Sequence, residues 1–270
     1  MTIQLPNARL SALNKMTRAR TRLLTGVAAL ALCTAAMATP PDAWWNDIVN
    51  DRATNVRQEL ARGTDPNEAD AEGLPSLMLA IRSGAWGAYD ALLAHRRIDL
   101  EQQNKHGETA LMYLALLGET ERAEALIKRG AQVHRLGWTP LHYAASKAKI
   151  DTARMLLKHG ALANAPAPDG TTPLMMAAYS GDRDMVQLLL DHGADATAIN
   201  LQKLTASDWA RERNHTRLAE DIDAMAARTQ AEREGRAAQA PAKPAAESAA
   251  ESPSSGTSRY FNLDRFENED

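Results

Sequence analysis

One short pattern recurs along this chain, and its spacing constrains the fold more than any other feature. GLPSLMLAI begins at Gly73, GETALMYLA at Gly107, GWTPLHYAA at Gly137 and GTTPLMMAA at Gly170; a weaker copy, KLTASDWA, begins at Lys203. The intervals are 34, 30, 33 and 33 residues. An amphipathic stretch follows each of the first four copies: YDALLAHR, AEALIKRG, ARMLLKHG and VQLLLDHG. A unit of this size cannot bury its apolar face alone. Repeated in register, it must stack on its neighbours and share one core with them.

The unit itself is helical by its local chemistry. Thr139 suits an N-cap, and Pro140 then falls at the first helical position, where its missing N–H costs nothing. Ala144 and Ala145 are small enough to let neighbouring helices approach closely. Ala153, Leu156 and Leu157 recur on one face of a second helix, which Gly160 ends in the left-handed conformation. Aromatic residues make up only 4% of the chain, and both phenylalanines, Phe261 and Phe266, lie in the last ten positions. The core must therefore be Leu, Ala, Met, Val and Ile, which suits packed small helices better than a β-sandwich.

These residues resemble the ankyrin-repeat family, whose unit is near 33 residues with a T-P-L-H-x-A motif. Thr139-Pro140-Leu141-His142-Tyr143-Ala144 matches it throughout, and Thr172-Pro173-Leu174 matches with Met175 in the histidine position. The resemblance spans about residues 42–225. It implies an all-α solenoid of stacked helix-turn-helix units with short finger loops, expected over 39–226 as about five repeats. An N-terminal cap is expected at 42–67, with Trp44 and Trp45 covering the end of the stack. The segment Thr216–Ile222 is expected to cap the other end. Three departures are visible. The finger between Ala131 and Gly137 is about three residues short, Arg96 stands where other units have glycine, and Pro75-Ser76 replaces Thr-Pro in the first unit.

The resemblance also implies a function of holding another protein, along the finger tips and exposed sides of the first helices. Carried onto this sequence, those positions are Leu74, Arg82, Glu108, Leu116, Trp138, Lys147, Thr171 and Tyr179. Leu116, Trp138 and Tyr179, in consecutive units, are the expected anchors, since Trp and Tyr are enriched at binding hot spots. A monomer with a protein partner is expected. A binding or adaptor protein leads; an inhibitor or immunity protein, or a secreted effector that mimics host ankyrin proteins, are the alternatives.

The chain ends differ in composition from its body. Residues 1–38 carry Arg9, Lys15, Arg18, Arg20 and Arg22 and no acid. The apolar run from Leu23 closes on Ala36-Met37-Ala38. A basic segment, a short apolar stretch and small residues before the cut describe a secretory signal peptide, expected to be cleaved after Ala38. Met16 is an alternative start, and Cys33 leaves a lipoprotein open, although Leu32 fits that poorly. The expected address is the periplasm, or alternatively the medium, with no membrane attachment after cleavage. The mature chain would then contain no cysteine. At the other end, 227–258 is rich in Ala, Pro, Glu and Ser and is expected as a disordered linker, most clearly over 237–258. Residues 259–270 bring back large apolar groups in an acidic setting. Tyr260, Phe261 and Phe266 there are further partner-binding candidates.

Charge and motifs exclude other classes. With the five basic residues of 1–38 set aside, 26 basic residues face 34 acidic ones, a balance of −8. That balance disfavours non-specific nucleic-acid binding and would suit a basic target. No Walker loop, nucleophile elbow or zinc-binding histidine pair is present. His95, His159 and His192 share one repeat position, but stacking would set them roughly 10 Å apart, too far to share a metal ion. No catalytic residue, cofactor or metal is expected.

Overall fold

A computed structural model of the chain describes residues 43–239. These form twelve helices, taken in pairs. The first pair is α1 (Ala43–Val49) with α2 (Ala53–Arg62), and the second is α3 (Ser76–Arg82) with α4 (Trp86–Leu93). Then come α5 (Ala110–Leu117) with α6 (Thr120–Lys128), and α7 (Pro140–Ser146) with α8 (Ile150–Lys158). The last pairs are α9 (Pro173–Ser180) with α10 (Arg183–Asp191), and α11 (Ala206–Glu212) with α12 (Thr216–Gln239). Six helix pairs are thus present among the described residues. The chain divides after Gln230. The repeats form one unit; the described part of the other is the exposed end of α12.

Within the repeat unit, first helices pack on first helices, in the order α1, α3, α5, α7, α9, α11, while α6, α8 and α10 form a second layer. The small residues expected at the contact are there. Ala115, Ala144, Ala145, Ala177 and Ala178 are fully buried. Leu111, Leu141 and Leu174 fill the space beneath each first helix, and Leu126, Leu156 and Leu189 come up from the second layer. Each fully buried leucine contributes about 1.5–3 kcal/mol relative to exposure. Polar links also join neighbouring pairs, among them Asn67 with Arg97 and Asp99, and Asn164 with Gly193 and Asp195. Thr120 and Thr152 share a 2.6 Å hydroxyl contact between α6 and α8. At the N-terminal end Trp44 is buried, and its indole N–H donates to the Ser76 hydroxyl at 3.1 Å. Ser76 in turn donates to the Glu68 carbonyl. The first repeat, which lacks Thr-Pro, thus has no side-chain helix cap at Pro75. It is held through this network instead.

The fingers are tight turns closed by a backbone bond: Asp70 N–H to Leu74, Asn104 to Glu108, Ala167 to Thr171 and Asn200 to Leu204. Asp70, Asn104 and Asn200 also each accept two backbone N–H groups in their own finger. The short finger has no equivalent bond between His134 and Trp138, as its length implied. The turn at Arg96 is irregular too. Ala94 ends α4 in a right-handed conformation, and no left-handed residue follows before Glu101.

At the other end the structure departs from expectation. The repeats were expected to end at 226 and a linker to begin at 227, yet α12 runs on through Gln239. Composition explains the difference. Residues 227–236 are mostly Ala, Arg, Glu and Gln, which hold a helix well while exposed, and Arg236 pairs with Glu232 one turn away. The expected signal peptide, the remaining linker and the motif with Tyr260, Phe261 and Phe266 lie outside the described residues. Among the described residues, no helix is long and apolar enough to cross a membrane.

Every helix pair turns through one left-handed residue: Asp51, Gly84, Gly118, Ala148, Gly181 and Asn214. At Gly181 a Cβ would also run into the His215 ring, so only glycine fits. Asp51 accepts this conformation and uses its carboxylate, which takes the Ala88 N–H at 2.7 Å and fixes the start of α4. Ala148, with φ 49°, makes no such bond. A left-handed alanine costs roughly 1–2 kcal/mol, and glycine loses roughly 0.5–1 kcal/mol of that in chain entropy. Ala148→Gly is therefore expected to raise the thermal midpoint by about 2 °C, read by circular dichroism. A lowered midpoint would show that the methyl group is used.

Candidate binding groove

The first helices present one register to solvent. Residues three and four apart share a helix face, and here the face comprises three rows. One row is Tyr113, Tyr143, Met176 and Trp209; the next is Arg82, Leu116, Ser146 and Tyr179; the third is Leu117, Lys147, Ser180 and Arg213. The middle of this face is apolar. Leu116, Trp138, His142, Tyr143, Ser146 and Met176 line a cleft of about 230 Å³ across three consecutive units. The shortened finger carries Trp138 to the cleft wall, where it lies edge-on to His142 at 5.2 Å.

His142 is the buried base of the cleft. Its Nδ1 accepts the Thr139 backbone N–H at 3.2 Å and lies 2.9 Å from the Thr139 hydroxyl. Its Nε2 must then carry the proton, which it donates to the Thr171 carbonyl of the next repeat at 3.0 Å. Burial pushes its pKa from 6.5 to about 4, so the ring is neutral. In the neighbouring units Met112 and Met175 occupy this position, and their sulfurs take the corresponding threonine N–H at 3.4 Å.

A polar network borders the cleft toward the fingers. The Tyr143 hydroxyl donates to Glu108 Oε1 at 2.7 Å, and Asn104 donates to Glu108 Oε2 at 2.7 Å. Burial, followed by its hydrogen bond to Glu108, drives the Tyr143 phenol far above its usual range. Burial and the Glu108 charge also raise Tyr113. Farther along the groove, Tyr179 meets Trp209 edge-on at 5.6 Å, with the Arg213 guanidinium 4.7 Å from the Tyr179 ring centre.

The expected binding positions separate into groups. Leu116 and Trp138 come together in the cleft, and Lys147 is exposed one residue beyond Ser146. Tyr179 belongs to the neighbouring Trp209 cluster. Arg82 lies near Glu72, 3.9 Å away, at another part of the face. Two further positions expected on the surface are buried: Leu74 joins the core, and Thr171 is fully enclosed, its hydroxyl donating to Asp169. Tyr143, Met176 and Trp209 were not singled out from sequence. The face spacing within each first helix was the signal that identifies them.

The histidine row has structural partners. His159 Nε2 lies 3.6 Å from Glu124, and His192 Nδ1 bonds the Leu188 carbonyl. Among the described residues, no three His, Cys, Asp or Glu side chains are placed to hold a metal ion.

Comparison with known proteins agrees with this architecture. A family model described as ankyrin repeats (3 copies) matches residues 48–136 and 123–200. The chain is 34% identical over 113 residues to neurogenic locus notch homolog protein 1 of Cricetulus griseus, covering 41% of this chain and 4% of that one. It is 36% identical over 93 residues to protein phosphatase 1 regulatory subunit 27 of Mus musculus, covering 33% of this chain and 60% of that one. The chain thus spans less than two thirds of either relative.

His142 makes the fold acid-sensitive. Unfolded, it takes a proton below about pH 6.5; folded, only below about 4. The folded state is therefore fully favoured above the unfolded value and loses stability as pH falls toward the folded one, by about 2 kcal/mol at pH 5. In denaturant titrations at pH 7 and 5, wild type should lose about that much more than His142→Gln. Equal losses in both proteins would exclude His142 as the responsible group.

Proposed function

Because the chain belongs to the ankyrin-repeat family, a family of protein–protein interaction modules, we propose that it holds a protein partner in the first-helix groove and works in the periplasm. The observation that carries the binding site is the apolar cleft at Leu116, Trp138, Tyr143 and Met176, which draws half-buried side chains from three repeats. Side chains that gain more burial on association make good anchors, aromatic ones above all. Titratable groups with strongly shifted pKa in this region, His142 and Tyr143, are explained by packing and hydrogen bonds within the fold. Neither arrangement supplies a nucleophile with a base, so the groove serves recognition and not turnover.

The address follows from composition. Residues 1–38 combine a basic start, an apolar run and Ala36-Met37-Ala38, and Cys33 is the one cysteine of the chain. Cleavage after Ala38 leaves a protein that can sit in an oxidising space without mispaired thiols.

Two measurements test these statements. N-terminal sequencing of protein from the periplasmic fraction should begin at Thr39; a chain that stays in the cytoplasm with its first residues retained would refute the address. A photo-crosslinking amino acid at Ser146 or Lys147, activated in intact cells, should join the chain to one protein, while the same group at Arg154 on α8 should not. Equal adducts from Arg154 would remove the groove as the binding face.

A further inference from the structure

The groove contains unmatched polar groups, and their chemistry is one-sided. Arg135, on the shortened finger, has a buried Nη1 with no hydrogen-bond partner. Its guanidinium lies near enough to Tyr143 to act on the phenol electrostatically. Lys147 is exposed and follows Ser146, which lines the cleft. In the neighbouring cluster the Trp209 indole N–H is buried without an acceptor. All three are donors, and two are cations.

Two of the three carboxylates on the same surface are already engaged. Both oxygens of Glu108, at the margin of the cleft, are held by Tyr143 and Asn104. Glu72 faces Arg82. Glu212, at the far end of the row that carries Tyr179, is the remaining carboxylate of the face. A volume of about 230 Å³ falls below the 300–1,000 Å³ typical of small-molecule pockets, and the lining is apolar. It suits one large apolar side chain presented by a larger partner.

We propose that the groove recognises an acidic peptide segment bearing an aliphatic or aromatic anchor, with the anchor in the Leu116–Trp138–Tyr143–Met176 cleft and carboxylates on Arg135 and Lys147. This rests on the groove being the binding face, and adds the partner's chemistry to it. A carboxylate gives Arg135 the charged acceptor it lacks. A basic segment would bring like charges together beside the cleft. The −8 balance of the chain beyond residue 38 is spread over all its faces; on this one Glu108 and Glu72 are engaged and Glu212 lies at the far end.

The test uses the purified protein, residues 39–270, and three fluorescent peptides. One is acidic with a central Leu-Phe pair, one has Lys in place of each Asp and Glu, and one is acidic with Ala-Ala at its centre. Anisotropy should show the first binding about tenfold or more tighter than the other two. Arg135→Gln with Lys147→Gln should weaken it about tenfold, whereas Arg154→Gln with Lys158→Gln, which removes the same charge from α8, should change it less than about twofold. Circular dichroism confirms that each variant is folded. Equal binding of the Lys peptide or of the Ala-Ala peptide, or binding of none, overturns the proposal. Self-association that the Arg135/Lys147 pair abolishes would put a second copy in the groove and overturn it too. Cellular crosslinks from Ser146 to a basic segment would sink the acidic partner and leave the groove standing; no crosslinks from Ser146 would sink the groove itself.

Discussion

Everything in the repeat unit depends on the close approach of successive first helices, which small side chains permit. Ala115, Ala144, Ala145, Ala177 and Ala178 have no exposed surface. A larger residue there would force apart two units at once, because each first helix is packed on both flanks. The polar links between units each join immediate neighbours only. The Thr120–Thr152 contact and the Trp44–Ser76 bond are local, so stability is a sum of neighbour-to-neighbour interfaces rather than the property of one central core. The ends then need separate treatment. Trp44 and Ile48 close one side with large buried side chains, and Leu218, Ala219 and Ile222 of α12 close the other.

The close stack in turn dictates the backbone. Each pair reverses direction in a few residues and must place its next helix within contact distance of the last. The left-handed residue between paired helices does this in every pair, whether it is glycine or, as at Asp51, Ala148 and Asn214, a residue with a side chain. Lys203 likewise takes the left-handed position that Gly73, Gly107, Gly137 and Gly170 hold in the other units. Conformation is therefore retained where residue identity is not. The stack sets the dihedral, and the chain bears the strain where glycine is absent.

That hierarchy explains what was legible in the sequence. The period and the Thr-Pro caps are local signals repeated several times, so the helix pairs, the irregular turn at Arg96 and the weak third finger could be placed. Burial beside the fingers could not. Leu74 and Thr171 immediately follow the glycine of their units and look like loop residues, yet both are buried, and the Thr171 carbonyl accepts the His142 N–H from the preceding repeat. The extent of α12 was missed for a different reason. A composition too polar to form a core was taken as unable to form structure, but an exposed helix needs propensity and neighbouring ion pairs rather than burial. Leu116 and Trp138 were recognisable as neighbours. The division of Trp138 from Tyr179 was not, because it depends on ring contacts across units: Trp138 joins His142 in the cleft, and Tyr179 pairs with Trp209.

The groove's chemistry follows from register as much as from composition. A repeat brings the same position of every unit into one row, so a substitution at that position alters a surface that runs across the stack. One row here holds Tyr113, Tyr143, Met176 and Trp209, and the row that ends each helix holds Lys147 and Arg213. None of these residues is unusual in isolation. Placed side by side, they make an apolar strip with cations along one border, while the carboxylates nearest to it are bound to tyrosine and asparagine or set against arginine. Net charge averages over all faces and cannot show this separation. What a partner meets on this face includes donors left without acceptors, Arg135 and the Trp209 indole N–H among them, beside the exposed Lys147.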